Sequence, residues 1–531
     1  MLRIKPSFID LPAGQLRTWE HGIGPTLLVL SGLVNSPQAA CAQVAGVFPQ
    51  YRVVALELPG LGASPAGAGA TVQEIASAVD AVAQRLQNIS GCIAYDLSIP
   101  VALVCALSGQ LEERLLLIDI PKALWLAENK PRCEDFALDA DGTYLYKLWN
   151  HLRDMDMLES VEPRRPRNQG VYKSPEQLDE TFLSFAVQPK EYGELWACLA
   201  SAMHHHKLGQ LGSATVVEHI DTAEPHIFSA PPVSIPTQET ASATGPVITR
   251  GYEDVSGGRM HYRTAGSGES RVVALLPGPF SSAVLNPLLL NLCSNHSIVA
   301  PDYIGQGDSC RSTGDTTIAR AAAEIDELTR KLGWTQYSVY GTHTGAGVAL
   351  EAAIAFPDRV KSVIIDSCSM QHAYERTGHI AKYFPSILPD VWGSHIFQAW
   401  NIQKDGEIFW PWYLPNPTAA KESTSTGLSR LHDSVICMLR SRATPVWKSM
   451  SLYEARDRIG KVHQPALFVT GPKDIFKSYM PEVRKLAPEN FTIMDIPATV
   501  WAAKADPDNL RKTCAIFDAF LLESNGLVAD F

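Results

Sequence analysis

The chain is expected to fold as two α/β domains in tandem, each a mostly parallel sheet flanked by helices, the first copy truncated and the second bearing a helical cap. Three observations predict this. At 531 residues the chain exceeds what one ordinary core fills. Two distant stretches repeat the same order of apolar runs and glycine breaks. Within each stretch, strand-like runs alternate with helical ones, the pattern of βαβ units.

The first repeated element is the apolar run TLLVLSGLVNS at 26–36, matched by VVALLPGPFSS at 272–282, each breaking at a glycine, Gly32 or Gly278. The second is YRVVALELPGLGASP at 51–65, matched by HSIVAPDYIGQGDSC at 296–310. The third is CIAYDLSIPVAL at 92–103 against SVYGTHTGAGVAL at 338–350, a strand, a tight turn and a helix of small residues. In both copies the next strand ends 23 residues after the turn residue, at Asp119 counted from Asp96 and at Asp366 counted from His343. The likeness runs on into 142–157 and 393–409 and then stops. The second copy closes with two further strand–helix units. The first offers only a weak strand at 213–220 before a stretch rich in Pro, Ser, Thr and Ala, so the expected division is a truncated domain at 1–221, a linker at 222–250 and a complete domain at 251–531.

Composition narrows the function classes. Hydrophobic residues make up 46% and charged residues 19%, a balance that permits a large core and excludes a disordered chain. The net charge of −11, with no basic run, argues against a nucleic-acid partner or an anionic membrane surface. No segment reaches the roughly 18 apolar residues that a membrane span needs. The N-terminus lacks an export signal, and ten scattered cysteines without a CxxC pair fit reduced thiols, so a cytoplasmic location is expected. The expected partner is a small-molecule substrate, with self-association left open. His204-His205-His206 is not expected to bind metal, because consecutive helical residues point about 100° apart. No phosphate-binding glycine loop is present, and no cofactor is expected.

The turn Gly341-Thr342-His343-Thr344-Gly345 resembles the nucleophile elbow G-x-S-x-G of the α/β-hydrolases. DYIGQGDS at 302–309 resembles the loop after the third strand in that superfamily, and FPDRV at 356–360 the run after the elbow helix. The resemblance covers 251–376 and 464–525, and extends collinearly over 24–120. It implies functional positions one at a time. The nucleophile position holds His343, and its counterpart in the first copy holds Asp96, as in the dehalogenase and epoxide-hydrolase branch. Gly471-Pro472-Lys473-Asp474 fits the pattern of the orienting acid, with Asp366 as the alternative. The position expected to carry the catalytic histidine holds Val500. Of the two backbone donors of the oxyanion hole, Thr344 keeps its N–H and Pro279 has none.

Three readings follow. His343 is a general base oriented by Asp474, serving hydrolysis of an ester, lactone, amide or C–C bond, or a lyase reaction. Alternatively, both copies form a catalytically silent binding or scaffold protein. In the third reading Asp96 attacks carbon, as in dehalogenases and epoxide hydrolases, with a histidine from elsewhere. The cap, at 376–455, carries Trp392, Trp400, Trp410, Trp412 and Tyr413. With Trp501, Trp410, Trp412 and Tyr413 are the expected walls of an apolar substrate pocket, against the alternative that the cap aromatics only pack on one another. Glu57 and Asp302 are expected to cap the loops after their strands.

Overall fold

The computed structural model describes residues 2–527 except 68–70, 106–113, 121–133, 159–165, 168–171, 206–213, 229–231, 233–247, 313, 315, 373–378, 381, 422–426, 442–445 and 502–504. Two compact units divide the chain. One comprises 1–245 with 389–394, the other 246–388 with 395–531.

The first unit is built on seven strands: β1 (Lys5–Leu11), β2 (Gly14–His21), β3 (Thr26–Leu30), β4 (Arg52–Leu56), β5 (Ile89–Tyr95), β6 (Leu115–Ile118) and β7 (Thr215–Val217). They lie in the order β1-β2-β4-β3-β5-β6-β7. The second unit has eight: β8 (Ile248–Val255), β9 (Gly258–Ala265), β10 (Ser270–Leu275), β11 (His296–Pro301), β12 (Tyr337–Thr342), β13 (Val360–Asp366), β14 (Ala466–Thr470) and β15 (Phe491–Asp495). Their order, β15-β14-β13-β12-β10-β11-β9-β8, matches the first sheet with one strand added beyond the counterpart of β7. In each sheet the leading hairpin runs antiparallel and the remaining strands are parallel to one another. Central strands such as LLVL in β3 and VVAL in β10 are buried throughout, as strands covered by helices on both faces must be. No described helix is long and apolar enough to cross a membrane.

The linker expected at 222–250 is narrower than that range. Residues Pro225–Phe228 form a helical turn, and Phe228 is buried edge-on between Phe48 and Tyr51, where its carbonyl accepts from the Tyr51 hydroxyl. An aromatic ring in a stretch rich in proline still has apolar area to bury, and here it does so against the first core. At the other end, 248–250 already belong to β8. The cap range is also interrupted, since Pro389–Ser394 group with the first unit.

The upper end of the second sheet is set by the turn between β12 and the helix Thr344–Ala355. His343 sits there at φ 51° and ψ −108°, a conformation that costs a side-chain-bearing residue about 1–3 kcal/mol. The flanking glycines permit the crossing. A Cβ on Gly341 would strike the carbonyl of Gly345, and one on Gly345 would strike the carbonyl of Leu275 in the neighbouring strand. Gly345→Ala is therefore expected to destabilise the protein by about 1–3 kcal/mol, read as a lower urea midpoint, because a backbone carbonyl has little room to move aside.

Candidate functional site

His343 and Asp474 meet above the carboxyl ends of β12 and β14. The imidazole Nε2 lies 2.9 Å from Asp474 Oδ2, with the histidine side chain 17% exposed and the aspartate 4%. The ring is thus partly exposed while the acid is almost wholly buried. Asp474 also accepts from the Phe476 N–H at 2.8 Å through Oδ1. Burial alone would raise its carboxyl, but the charge and hydrogen bond of His343, with the Phe476 N–H and the Ser367 hydroxyl, bring it below the usual carboxylate value. An ionised Asp474 accepts, so Nε2 is the imidazole nitrogen that donates to it.

A second carboxylate stands behind the first. Asp366, at the end of β13, is fully buried and accepts from the Tyr340 hydroxyl at 2.8 Å and from the Ser367 hydroxyl at 3.1 Å. Burial pushes it up to about 6, and the nearby Asp474 charge adds to the rise. Of the two acids the sequence offered, Asp474 takes the histidine and Asp366 takes the tyrosine.

Aromatic rings surround the dyad. Phe476 is tilted against the imidazole and Trp501 meets it edge-on, each with centroids 5.0 Å away. Trp501 is held by its indole N–H, which donates to Thr342 Oγ1 at 2.9 Å. Trp410 lies one ring further out, 6.3 Å from Phe476, and joins Tyr383 and His379. Trp412 and Tyr413 belong to that outer cluster, with the Tyr413 hydroxyl 2.6 Å from His379 Nδ1. Thus Trp501 touches the dyad directly, Trp410 reaches it through Phe476, and Trp412 and Tyr413 stand beyond. Trp400 is buried, and Trp392 is exposed. Val500, at the usual histidine position, is buried beside Trp501.

Thr344 occupies the first position of its helix, where an N–H has no partner within the helix. Its hydroxyl accepts from the Gly278 N–H at 3.4 Å and so ties the elbow to the loop of Pro279. Gly278 is required there, since a Cβ would collide with Trp447.

In the first domain Asp96 occupies the corresponding turn at φ 36°. Its Oδ1 accepts from the Leu33 N–H at 3.2 Å and from its neighbour Leu97 N–H. Burial pushes the carboxyl up to about 6, against the pull of those amides. Among the described residues no histidine is hydrogen-bonded to it, and the nearby Asp119 is held bidentate by Arg167 at 2.7 Å. Glu57 accepts from the Ala63 N–H and Asp302 from the Ser282 and Asp308 N–H groups, closing the loops after β4 and β11. His261 Nδ1 lies 2.8 Å from Asp302 in the same loop. Of the three consecutive histidines, His206 and the side chains of His204 and His205 lie outside the described residues.

Two site residues escape the sequence reading. Phe476 follows Asp474 by two positions and both flanks the imidazole and binds the acid, a consequence of a loop whose path no spacing rule specifies. Arg430 lies with its guanidinium carbon 4.7 Å from the centroids of both Phe280 and Trp501, on a helix whose place over the sheet is invisible in one dimension.

Residues 272–391 match the family described as alpha/beta hydrolase fold. An uncharacterised protein of Mycobacterium tuberculosis is 30% identical over 117 residues, which are 22% of this chain and 34% of that protein. A soluble epoxide hydrolase of Corynebacterium sp. is 34% identical over 119 residues, 22% of this chain and 41% of that enzyme. The chain thus spans about a third of the mycobacterial relative it matches. Among solved structures, an epoxide hydrolase without ligand aligns at TM-score 0.40 and 21% identity over 51% of this chain and 99% of its own. The enol-lactonase of Burkholderia xenovorans aligns at 0.38 and 16%, over 50% and 98%.

The raised Asp366 carboxyl makes a stability prediction. Between its ordinary value and about 6 the folded state holds a proton that the unfolded state has released, so this group's contribution favours folding below that window and is lost as pH rises through it. Asp366→Asn removes the titration. Relative to the wild type, the variant is expected to gain on the order of 3 kcal/mol as pH rises from about 4 to 7, measured by urea unfolding at each pH.

Proposed function

We propose, taking the α/β-hydrolase fold of the second domain as premise, that the chain hydrolyses a small, partly apolar ester, lactone or amide, with His343 as general base on water. One observation carries the reading: the 2.9 Å contact between His343 Nε2 and Asp474, at the place where such sheets present their reactive side chain. Likeness to the corynebacterial hydrolase over 119 residues supports the hydrolase class.

Asp474 accepts the Nε2 proton and fixes the tautomer, leaving Nδ1 to take a proton from water as the water oxygen attacks the carbonyl carbon. The carbonyl electrons move onto oxygen, which accepts from the Thr344 N–H. On collapse the C–O or C–N bond breaks, and the imidazolium returns its proton to the leaving oxygen or nitrogen. A serine nucleophile would need a separate base, and that position holds Val500, so water is the nucleophile this set of residues can activate. The missing donor at Pro279 costs about 10²- to 10³-fold against a complete oxyanion hole, which places this hydrolase among slow ones.

A panel of aryl esters, lactones and anilides tests the proposal. With the best substrate, His343→Ala is expected to lower kcat/KM by about 10²- to 10⁴-fold, Asp474→Asn by at least about tenfold, and His343→Ser is expected to restore nothing. Single-turnover kinetics are expected without a burst. Equal rates in the wild type and His343→Ala remove the dyad from the reaction.

A second reading attaches to Asp96, whose Oδ1 is held by two amide N–H groups, so that Oδ2 is oriented to attack. Incubation with an epoxide would then add the mass of that epoxide to the peptide containing Asp96, and an unmodified peptide removes this reading.

A further inference from the structure

A cavity of about 250 Å³ opens beside the dyad, lined by Phe280, Val284, Pro287, Ser429, Arg430 and Trp501 among others. Its walls combine apolar residues with Ser281, Ser429, Arg430 and Asp433. The Arg430 guanidinium carbon lies 4.7 Å from the centroids of both Phe280 and Trp501, two rings that are themselves 6.0 Å apart, so the cation caps a touching aromatic pair. One terminal nitrogen donates to the Trp501 carbonyl. Its Nε–H is buried and has no acceptor among the described residues. A buried guanidinium N–H without an acceptor costs about 1–3 kcal/mol or more, and a ligand supplying that acceptor recovers it. Burial lowers the guanidinium to about 10, still charged at neutral pH.

Glu407 and Asp433 act on Arg430, with Lys421 acting against them. Asp433 is exposed at the pocket rim and is itself drawn on by Arg263 and Arg440, while Asp308 opposes. Asp474 acts on Lys421 as well, so four cations meet four carboxylates, Glu407, Asp433, Asp308 and Asp474, and the ligand is called for by the unpaired Arg430 Nε–H rather than by a surplus of charge. Arg440 is committed to Asp308 at 2.8 Å, and of the two buried Nε–H groups here without an acceptor among the described residues, those of Arg263 and Arg430, the one on a residue lining the pocket is that of Arg430.

We propose that this pocket holds the carboxylate of the substrate, bound by Arg430, with an aryl or branched alkyl body packed on Phe280, Val284 and Pro287. Trp501 is the common wall, in contact with both Arg430 and His343. Phe280 directly follows Pro279, so a ligand lying along that loop leads from Arg430 to the elbow. Asp433 at the rim disfavours a second anionic group. The substrate class is thus an ester, lactone or amide that keeps one free carboxylate. The path to His343 rests on the dyad reading, whereas the carboxylate site stands without it.

Isothermal titration calorimetry of the full chain with 3-phenylpropanoate and its neutral amide tests the site. Saturable binding of the acid is expected, with the amide at least about tenfold weaker, the discrimination expected when a buried donor loses a charged acceptor. Arg430→Gln is expected to weaken the acid at least about tenfold. Val284→Trp, which fills the cavity without touching the guanidinium, is expected to do the same. His343→Ala is expected to bind the acid like the wild type, so loss of catalysis and loss of the carboxylate site are read apart. Equal binding of acid and amide by the wild type overturns the proposal whatever the variants do, and so does the absence of saturable heat with the acid up to 50 mM, about the weakest affinity that could matter to a substrate.

Discussion

The left-handed backbone at His343 is the constraint on which the upper end of the second sheet depends. A residue forced to φ 51° cannot continue either the strand or the helix, so its side chain is thrown clear of both and stands over the carboxyl ends of the strands. Glycines at 341 and 345 are demanded by the close approach of strand and helix at that crossing. The imidazole is longer than the serine side chain that the elbow usually carries. With its branch point fixed over the sheet, its far nitrogen reaches the loop after β14 and finds Asp474. Strain at one residue thus sets which nitrogen is bonded, which tautomer is held and which lone pair is left for chemistry.

The two copies keep the strain and diverge in what they do with it. Asp96 sits at φ 36° in a turn with no glycine on either side, and the hydroxyl of Ser98 secures that turn by donating to the carbonyls of Leu30 and Tyr95. A carboxylate is too short to cross to another loop and folds back onto the amides of Leu33 and Leu97. The close approach of that carboxylate explains Gly32, where a Cβ would collide with it. Among the described residues the first sheet has no counterpart of β15, the strand whose following loop brings Trp501 to the imidazole in the second.

Much of this was legible in the sequence because spacing survives folding. Equal intervals from elbow to next strand end placed β5 with β12 and β6 with β13, and the G-x-x-D pattern placed Asp474 before any coordinates. The antiparallel hairpins β1–β2 and β8–β9 went unread, although DLPAGQLRTWEHG and DVSGGRMHYRTAG align from Asp10 with Asp254 and Gly14 with Gly258. Their strands alternate only partly between buried and exposed positions, so they carry a weaker periodic signal than the buried parallel strands. Phe228 was lost in a linker by composition, since a stretch average conceals one ring that packs. Phe476 and Arg430 were beyond reach for a different reason. Their roles come from where a loop and a cap helix land, and neither is fixed by local sequence.

Two departures from the α/β-hydrolase pattern, His343 and Val500, are best understood together. A void beside the His343–Asp474 contact would admit water that competes for Asp474. The buried Val500 and the Trp501 ring fill that space, and the indole is fastened to Thr342 so that it cannot swing away. The same indole packs on the imidazole and on Arg430, and so is shared by the dyad and the adjoining cavity.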